Sequence, residues 1–222
     1  MSLESAKKNL EERGFIVRTF ATAAEAADYL DGAIDGTTIG FGGSITLQQM
    51  GLKERLGSHN DGLKSNAKLA SQKTQAIGIC GQDIFDRYYL DNGNEARIKA
   101  AHAQVYISSV NGLAETGELI NIDGAGNRVA ATLYGHQRIY FVVGRNKLAP
   151  TYEEALWRAR NIAAPKNAQR LGSKTPCAVK GDRCYDCKSP DRICRGLTVL
   201  WGPMMGMEQT TEVLLIDEDL GY

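Results

Sequence analysis

The chain has 222 residues, of which 43% are hydrophobic and 23% charged, and its 26 Lys and Arg balance 26 Asp and Glu. This is the composition of a globular protein and argues against a disordered chain. The zero net charge gives no overall electrostatic footprint for nucleic acid or an anionic membrane. No apolar run approaches the roughly 18 residues of a membrane span, and the N-terminus lacks an apolar signal core. We therefore expect a cytoplasmic protein with no membrane segment.

Apolar patterning predicts helices and short strands in alternation along the chain. Thr22 and Thr151 each precede a Glu by three residues, a capping-box pattern that begins a helix. We expect Pro165 to interrupt the second of these helices after residue 163. Helices are predicted at 3–13, 22–30, 45–52, 127–134 and 151–163, strands at 15–20, 37–41, 105–109, 118–122, 138–143, 196–201 and 212–216, and mostly helix with loops over 57–100. This alternation predicts an α/β fold with a mainly parallel sheet and helices on both faces.

The prolines and cysteines are distributed unevenly. Residues 1–149 contain no proline, whereas the five prolines and four of the five cysteines lie between 150 and 203. Since proline forbids regular continuation of a helix or central strand, this stretch should be irregular. We interpret residues 1–222 as one domain, with an α/β body at 1–172, a cysteine-bearing loop at 173–195 and a return to the body at 196–222.

Gly42, Gly43 and Ser44 follow a predicted strand and precede a predicted helix. Glycines let the backbone approach a ligand, and a helix N-terminus presents unpaired N–H groups, so these residues are candidates for binding an anion. A tight turn with Ser44 as an ordinary helix cap is an equal alternative. The loop lacks the Lys-Ser/Thr of a Walker motif and is too short for a dinucleotide fingerprint, so no nucleotide cofactor is evident.

The segment 115–128 is the densest polar stretch of the body. Asp123 lies at the end of a predicted strand, with Asn127 and Arg128 at the start of the next helix. A carboxylate beside an arginine and open amides can form an anion and acid/base site. Alternatively, Asp123 and Asn127 are turn and cap residues. Asn146 and Lys147 follow another buried strand and are further pocket candidates, although a solvated lysine is as plausible there.

The loop at 173–195 contains four cysteines with gaps of six, two and six residues, namely Cys177, Cys184, Cys187 and Cys194. Four thiolates suit zinc or an iron–sulfur cluster, and this spacing does not choose between them. Free thiols or disulfides are the alternative, which a cytosolic setting disfavours. The loop's basic excess is small and Tyr185 is its one aromatic residue, so we do not expect it to bind nucleic acid.

Several of these segments together resemble the LUD-domain lactate-utilisation family. The residues that carry the resemblance are 40–44 (Gly-Phe-Gly-Gly-Ser), 115–128, 142–147, 160–167, 189–194 (Ser-Pro-Asp-Arg-Ile-Cys) and 218–222 (Glu-Asp-Leu-Gly-Tyr). The resemblance implies a fold similar to ribose-5-phosphate isomerase, glucosamine-6-phosphate deaminase and CoA transferases, which bind phosphorylated sugars or acyl-CoA. It implies no single reaction. Some family members belong to iron–sulfur complexes that oxidise L-lactate.

Two hypotheses about function follow. In the first, the chain binds a small anionic metabolite at residues 42–44, with Asp123 or Glu118 as the base and Arg128 or Lys147 as the anion partner, for isomerisation, deamination or acyl transfer. In the second, it is a redox accessory protein whose cysteine loop holds a cluster. A homodimer or an iron–sulfur oxidoreductase is the expected protein partner. If strands 37–41 and 118–122 are parallel neighbours in one sheet, residues 42–44 face Asp123 across a cleft, with Lys147 at its rim.

Overall fold

The computed structural model describes residues 2–58, 76–78, 100–206 and 208–222. The strands in these residues are β1 (Ile16–Phe20), β2 (Ile39–Phe41), β3 (Ala76–Gly78), β4 (Val105–Ser108), β5 (Gly112–Ala114), β6 (Leu119–Asp123), β7 (Arg138–Gly144), β8 (Leu148–Ala149), β9 (Gly196–Leu200) and β10 (Thr210–Ile216). The helices are α1 (Leu3–Glu12), α2 (Ala23–Ala33), α3 (Ile45–Gln49), α4 (Leu52–Ser58), α5 (Asn127–Ala131), α6 (Tyr152–Arg158), α7 (Ala164–Arg170) and α8 (Pro176–Lys180).

Six of these strands form a parallel sheet in the order β1-β10-β7-β4-β2-β3. The predicted α/β class with a mainly parallel sheet is therefore confirmed. Because all six strands run in the same direction, the segments that follow them emerge at one edge of the sheet, which we call the carboxyl edge. Most of 57–100 lies outside the described residues, so the expectation of a mostly helical segment there is not addressed, apart from the strand β3.

The central strand β7 is buried on both faces, as its uninterrupted apolar sequence predicts. Tyr140 and Val142 belong to the core that α2, α3 and α4 cover. Ile139, Phe141 and Val143 belong to a second core, which α1 and residues of the strands β5 and β6 cover. Successive side chains of a strand point to opposite faces, so one strand supplies both cores.

The strands β5, β6, β8 and β9 form a separate four-stranded sheet in the order β8-β5-β6-β9. Its inner face packs on the second core, and its outer face packs against α6 through small side chains such as Ala155. The strand β6 is antiparallel to β5 and β9. The expectation that strands 37–41 and 118–122 lie parallel in one sheet is therefore wrong. Segment 115–118 is a tight turn, with Gly117 at φ +98°, and it reverses the chain beside β5 instead of crossing over to the main sheet.

Local signals account for the helix starts. Thr22 accepts a hydrogen bond from the Glu25 amide while the Glu25 carboxylate accepts from the Thr22 amide, so the predicted capping box is confirmed. Thr151 caps α6 through the Glu154 amide. Each such cap satisfies N–H groups that the helix itself leaves unpaired.

The prediction that Pro165 interrupts a helix is wrong, because the helix that begins at α6 continues past this residue. The chain passes from α6 through a π turn, Ala159–Ala163, directly into α7 and continues to Arg170. The proline lies in the first turn of α7, immediately after the π turn. The widened turn shifts the hydrogen-bond pattern there, so the missing N–H and the bulk of the ring are tolerated.

The loop at 173–195 is irregular, as its prolines predict, except for the short helix α8. No helix among the described residues has both the length and the apolar character needed to cross a membrane.

Candidate functional site

Segments that follow four neighbouring strands of the main sheet meet at the carboxyl edge. They contribute one side chain or backbone group each: Thr46 after β2, Ser109 after β4, Lys147 after β7 and Gly221 after β10. The four residues are separated widely in sequence, and it is the parallel register of the sheet that brings them together.

The Lys147 amine is the centre of this cluster. Lys147 ends the 3-10 turn Arg145–Lys147 that follows β7, and only 4% of the residue is exposed. Its Nζ lies 2.6 Å from Thr46 Oγ1 and 2.7 Å from Ser109 Oγ, and it donates a hydrogen bond to each. The prediction that Lys147 lies at the rim of a cleft is wrong, because the 3-10 turn directs its side chain inward under the loop that follows β2.

Burial, together with the positive charges of Arg158 and Arg128, lowers the pKa of Lys147 to about 7. Within the described part of the chain, no carboxylate forms an ion pair with the amine to offset this cost. The ammonium form is thus disfavoured both by the loss of water and by its neighbours. Such a perturbed, buried amine is typical of functional lysines.

Arg158 is a second buried cation, and the sequence analysis missed it. Its Nε donates to the Asn146 carbonyl at 2.8 Å and its Nη1 donates to the Asn111 carbonyl at 2.7 Å. Burial lowers the pKa of Arg158 to about 10. The signal that could have revealed it is its position three residues after Ala155, on the apolar face of α6.

Arg128 connects β6 to the carboxyl edge. Its Nη2 donates to the Ile122 carbonyl at 2.6 Å, its Nη1 to Ser109 O at 3.3 Å and Asn121 Oδ1, and its Nε lies 3.4 Å from Asp123 Oδ2. The predicted anion-binding guanidinium is therefore engaged mainly by the protein itself.

Gly42 lies directly against Arg128. A Cβ atom at this position would lie 2.6 Å from Ser108 Oγ and 3.1 Å from Arg128 Cγ and Cδ. Gly42 of the predicted glycine loop is therefore close to Arg128 of the segment 115–128, although β6 belongs to the other sheet. Ser44 accepts a 3.4 Å hydrogen bond from the Leu47 amide and caps α3. This is the geometry of the alternative in which Ser44 is an ordinary helix cap.

Asp123 adopts the turn geometry that the sequence analysis left open. Its Oδ1 accepts hydrogen bonds from the amides of Ala125 at 3.1 Å and Gly126 at 3.2 Å. Its Oδ2 is buried, faces Arg128 and accepts no hydrogen bond from the described residues. The cap position of α5 is Gly126, so Asn127 is the first helical residue and not the cap.

Glu118 is not brought to this cluster. It lies before the opposite end of β6, about 16 Å from Asp123 at the usual rise per strand residue. There it pairs with Arg13, which directly follows α1, and accepts a hydrogen bond from Thr116. These contacts hold α1 against the second sheet.

Asn146 holds the segment 217–222 over Lys147. Its Oδ1 accepts from the Leu220 amide at 3.0 Å, and its Nδ2 donates to the Gly221 carbonyl at 3.4 Å. Gly144 permits this close passage, because a Cβ there would lie 2.7 Å from the Leu220 nitrogen. The terminal motif that contributed to the resemblance is thus packed on the site.

The four loop cysteines are half-buried free thiols. Cys184 Sγ accepts from the Asp186 amide at 3.3 Å, and Cys194 Sγ accepts from Arg192 Nε at 3.2 Å. Thr175 Oγ1 lies 3.3 Å from Cys177 Sγ. Among the residues that the structure describes, no group of three or more His, Cys, Asp or Glu side chains is arranged to hold a metal ion. Four cysteines are a suitable set of metal ligands, but in this arrangement they do not form a metal site.

Comparison with known proteins identifies the family. The sequence model of the LUD-domain family matches residues 3–215, which is almost the whole chain. The chain belongs to the LUD-domain family. No curated protein matches this LUD-domain protein. Five chains of solved structures do, among them a DUF162 family protein from Deinococcus radiodurans, determined by crystallography at 1.70 Å resolution. The two are 13% identical, the match covers 96% of this chain and 95% of that chain, and the TM-score is 0.47.

The burial of Lys147 predicts a pH-dependent stability. Its pKa is about 7 in the folded chain and 10.5 for an ordinary lysine, so between these values the unfolded chain binds more protons. The wild type therefore gains stability as pH rises through this window, by on the order of 1 kcal/mol per pH unit. Lys147→Met lacks this dependence. We expect it to be more stable than the wild type at pH about 7, by a margin that shrinks toward pH 10.

Urea unfolding at a series of pH values measures this margin. Lys166→Met, at an exposed lysine of α7, is the matched control and should differ from the wild type by the same amount at every pH. A constant margin for Lys147→Met across the window would contradict the assigned burial of the charge.

Proposed function

We propose that this LUD-domain protein binds a small anionic metabolite at the carboxyl edge, in metabolism of the lactate-utilisation type. The observation that carries the proposal is the excess of buried positive charge. Arg158 is buried and Arg128 largely so, and Asp123 is the one carboxylate paired with either of them among the described residues. Buried charge is costly without a counter-charge, so a bound anion would stabilise this arrangement.

The charges favour Arg158 as the main anion partner. Arg128 donates to four protein oxygens and pairs with Asp123, whereas described residues accept only from Nε and Nη1 of Arg158. The Nη2 group of Arg158 therefore remains available to a ligand. A carboxylate, a phosphate or the anionic part of a CoA-type ligand would suit it.

The geometry also favours Lys147 over Asp123 as the group that carries a proton. Asp123 Oδ1 is held by two amides and its Oδ2 faces Arg128, so both oxygens of this carboxylate are already engaged by the protein. Lys147 instead titrates near neutral pH, where a general base is most effective. Isomerisation, deamination and acyl or CoA transfer each require such a base beside a fixed anion.

Anion binding tests this proposal. We expect inorganic phosphate, sulfate and acetate to raise the thermal unfolding temperature of the wild type. Arg158→Gln should weaken the best of them by about tenfold or more, because a hydrogen bond to a charged group contributes roughly 1.5–3 kcal/mol. The control is Arg160→Gln, an exposed arginine two residues away in the π turn. Equal affinities in both variants, or no anion binding by the wild type, would contradict the proposal.

A second proposal concerns the cysteine loop as a redox or metal-binding accessory site. Its support is that Arg160 and Arg192 both contact Asp186, and they also reach the sulfur atoms of Cys184 and Cys194 respectively. Cys184 and Cys194 thus both contact one cluster of charged side chains, in which Asp186 lies between the two arginines. Cys184 also borders a cavity of about 370 Å³, which leaves it accessible. Binding of zinc or an iron–sulfur cluster would require Arg192 to release Cys194.

Metal analysis after anaerobic purification tests this second proposal. We expect about one equivalent of zinc, or a brown protein with iron and sulfide, and loss of the metal in both Cys184→Ser and Cys187→Ser, because a closed site needs all of its ligands. Cys80→Ser, outside the loop, is the matched control and should keep it. A metal-free wild type, or unchanged metal content in both loop variants, would exclude the site.

A further inference from the structure

The hydrogen bonds around Lys147 match a neutral amine and not an ammonium ion. Thr46 Oγ1 donates its own proton to the Leu220 carbonyl at 3.2 Å, and Ser109 Oγ donates its proton to the Val142 carbonyl. Each hydroxyl has one proton to give, so each can only accept from Lys147 Nζ. A neutral amine has two N–H groups, and these two acceptors use both of them. An ammonium ion would present a third N–H, for which the described residues offer no acceptor.

The same pattern orients the lone pair of the amine. With both N–H bonds directed to Thr46 and Ser109, the lone pair points away from the two hydroxyls. Gly221, in the segment 217–222, lies close to the amine, since a Cβ at this position would lie 3.3 Å from Nζ and 2.5 Å from Thr46 Oγ1. Glycine, at φ +69°, thus keeps the side chain that any other residue would place here away from the amine.

We propose that Lys147 Nζ is a nucleophile that forms an imine with the oxo group of a small anionic carbonyl compound. The proposal rests on the anion site described above, because Arg158 would hold the carboxylate or phosphate beside the reacting carbonyl. A 2-oxo acid, whose carbonyl adjoins a carboxylate, is the simplest compound with both features. The lowered pKa of the amine supports the assignment, since an amine must be neutral to act as a nucleophile.

The reaction balances with groups present at the site. The Nζ lone pair forms a bond to the carbonyl carbon, and the carbonyl oxygen takes one of the two Nζ protons to give a carbinolamine, whose hydroxyl takes the other proton in the next step. The C–O bond then breaks and water leaves, while the nitrogen loses its proton and forms the C=N bond. Thr46 and Ser109 accept from Nζ before the reaction and so orient the amine for attack, and these hydrogen bonds are given up as the nitrogen loses its protons. The nearby cations stabilise the anionic substrate, and no oxidant or reductant is needed.

Reductive trapping tests this inference on the intact protein. The protein is incubated with pyruvate as the probe and with cyanoborohydride, which reduces an imine to a stable secondary amine, and the modified lysine is located by peptide mass spectrometry. We expect the adduct on Lys147, formed roughly tenfold faster than with acetone, which lacks the carboxylate that Arg158 would bind. Propionate, which lacks the oxo group, should give no adduct and should slow the trapping by pyruvate.

Two variants complete the test. Lys147→Arg keeps a cation but cannot form an imine, so it should bind propionate and show no adduct at residue 147, whereas Lys166→Arg should be trapped like the wild type.

Binding of propionate without any adduct on wild-type Lys147 would overturn the assignment of Lys147 as a nucleophile but would still support the anion site. Labelling spread evenly over exposed lysines would overturn it too. Equal rates with pyruvate and acetone would overturn the substrate class and the anion site together. Peptide mapping of the wild type decides these outcomes even if Lys147→Arg fails to fold.

Discussion

The structure of the site depends on one constraint, the burial of a lysine amine between two hydroxyl groups at the carboxyl edge of the main sheet. Lys147 follows the central strand β7, and its acceptors Thr46 and Ser109 follow β2 and β4. The hydroxyls in turn donate to backbone carbonyls, so their positions are fixed by the fold. Burial of the amine without a carboxylate disfavours its charged form, and from this follow both the reactivity that we propose for it and the cost that it imposes on stability.

The second sheet serves the site by supporting it from one side. Asn111, just before β5, accepts from Arg158 through its carbonyl and from Arg128 through its side chain. The α6 helix that carries Arg158 packs on the outer face of this sheet. The two arginines thus reach the carboxyl edge from different elements and are oriented mainly by backbone carbonyls. Such rigid placement keeps like charges close together in spite of their repulsion.

Much of the main sheet could be predicted from the sequence, because buried parallel strands are apolar throughout and glycines mark the turn after β2. The position of Lys147 after a buried strand was likewise sufficient to select it. Its inward orientation was not predictable, since it depends on contacts with residues 101 and 38 positions away. The apolar pattern of β6 shows that it is a strand but not which sheet it joins, so its antiparallel pairing was missed. Glu118 looked like part of the acidic site because its partner, Arg13, is 105 residues away.

The most direct test of this account is the ionisation of Lys147 itself, observed by NMR of the protein labelled with ¹⁵N at its lysine side chains and assigned with Lys147→Arg. The account predicts one lysine nitrogen with a midpoint at a pH of about 7, missing from the variant spectrum, while the exposed lysines remain ammonium ions at that pH. If the Lys147 signal is that of an ammonium ion up to pH about 10, the amine is charged in the folded protein. The neutral nucleophile at the carboxyl edge would then be contradicted.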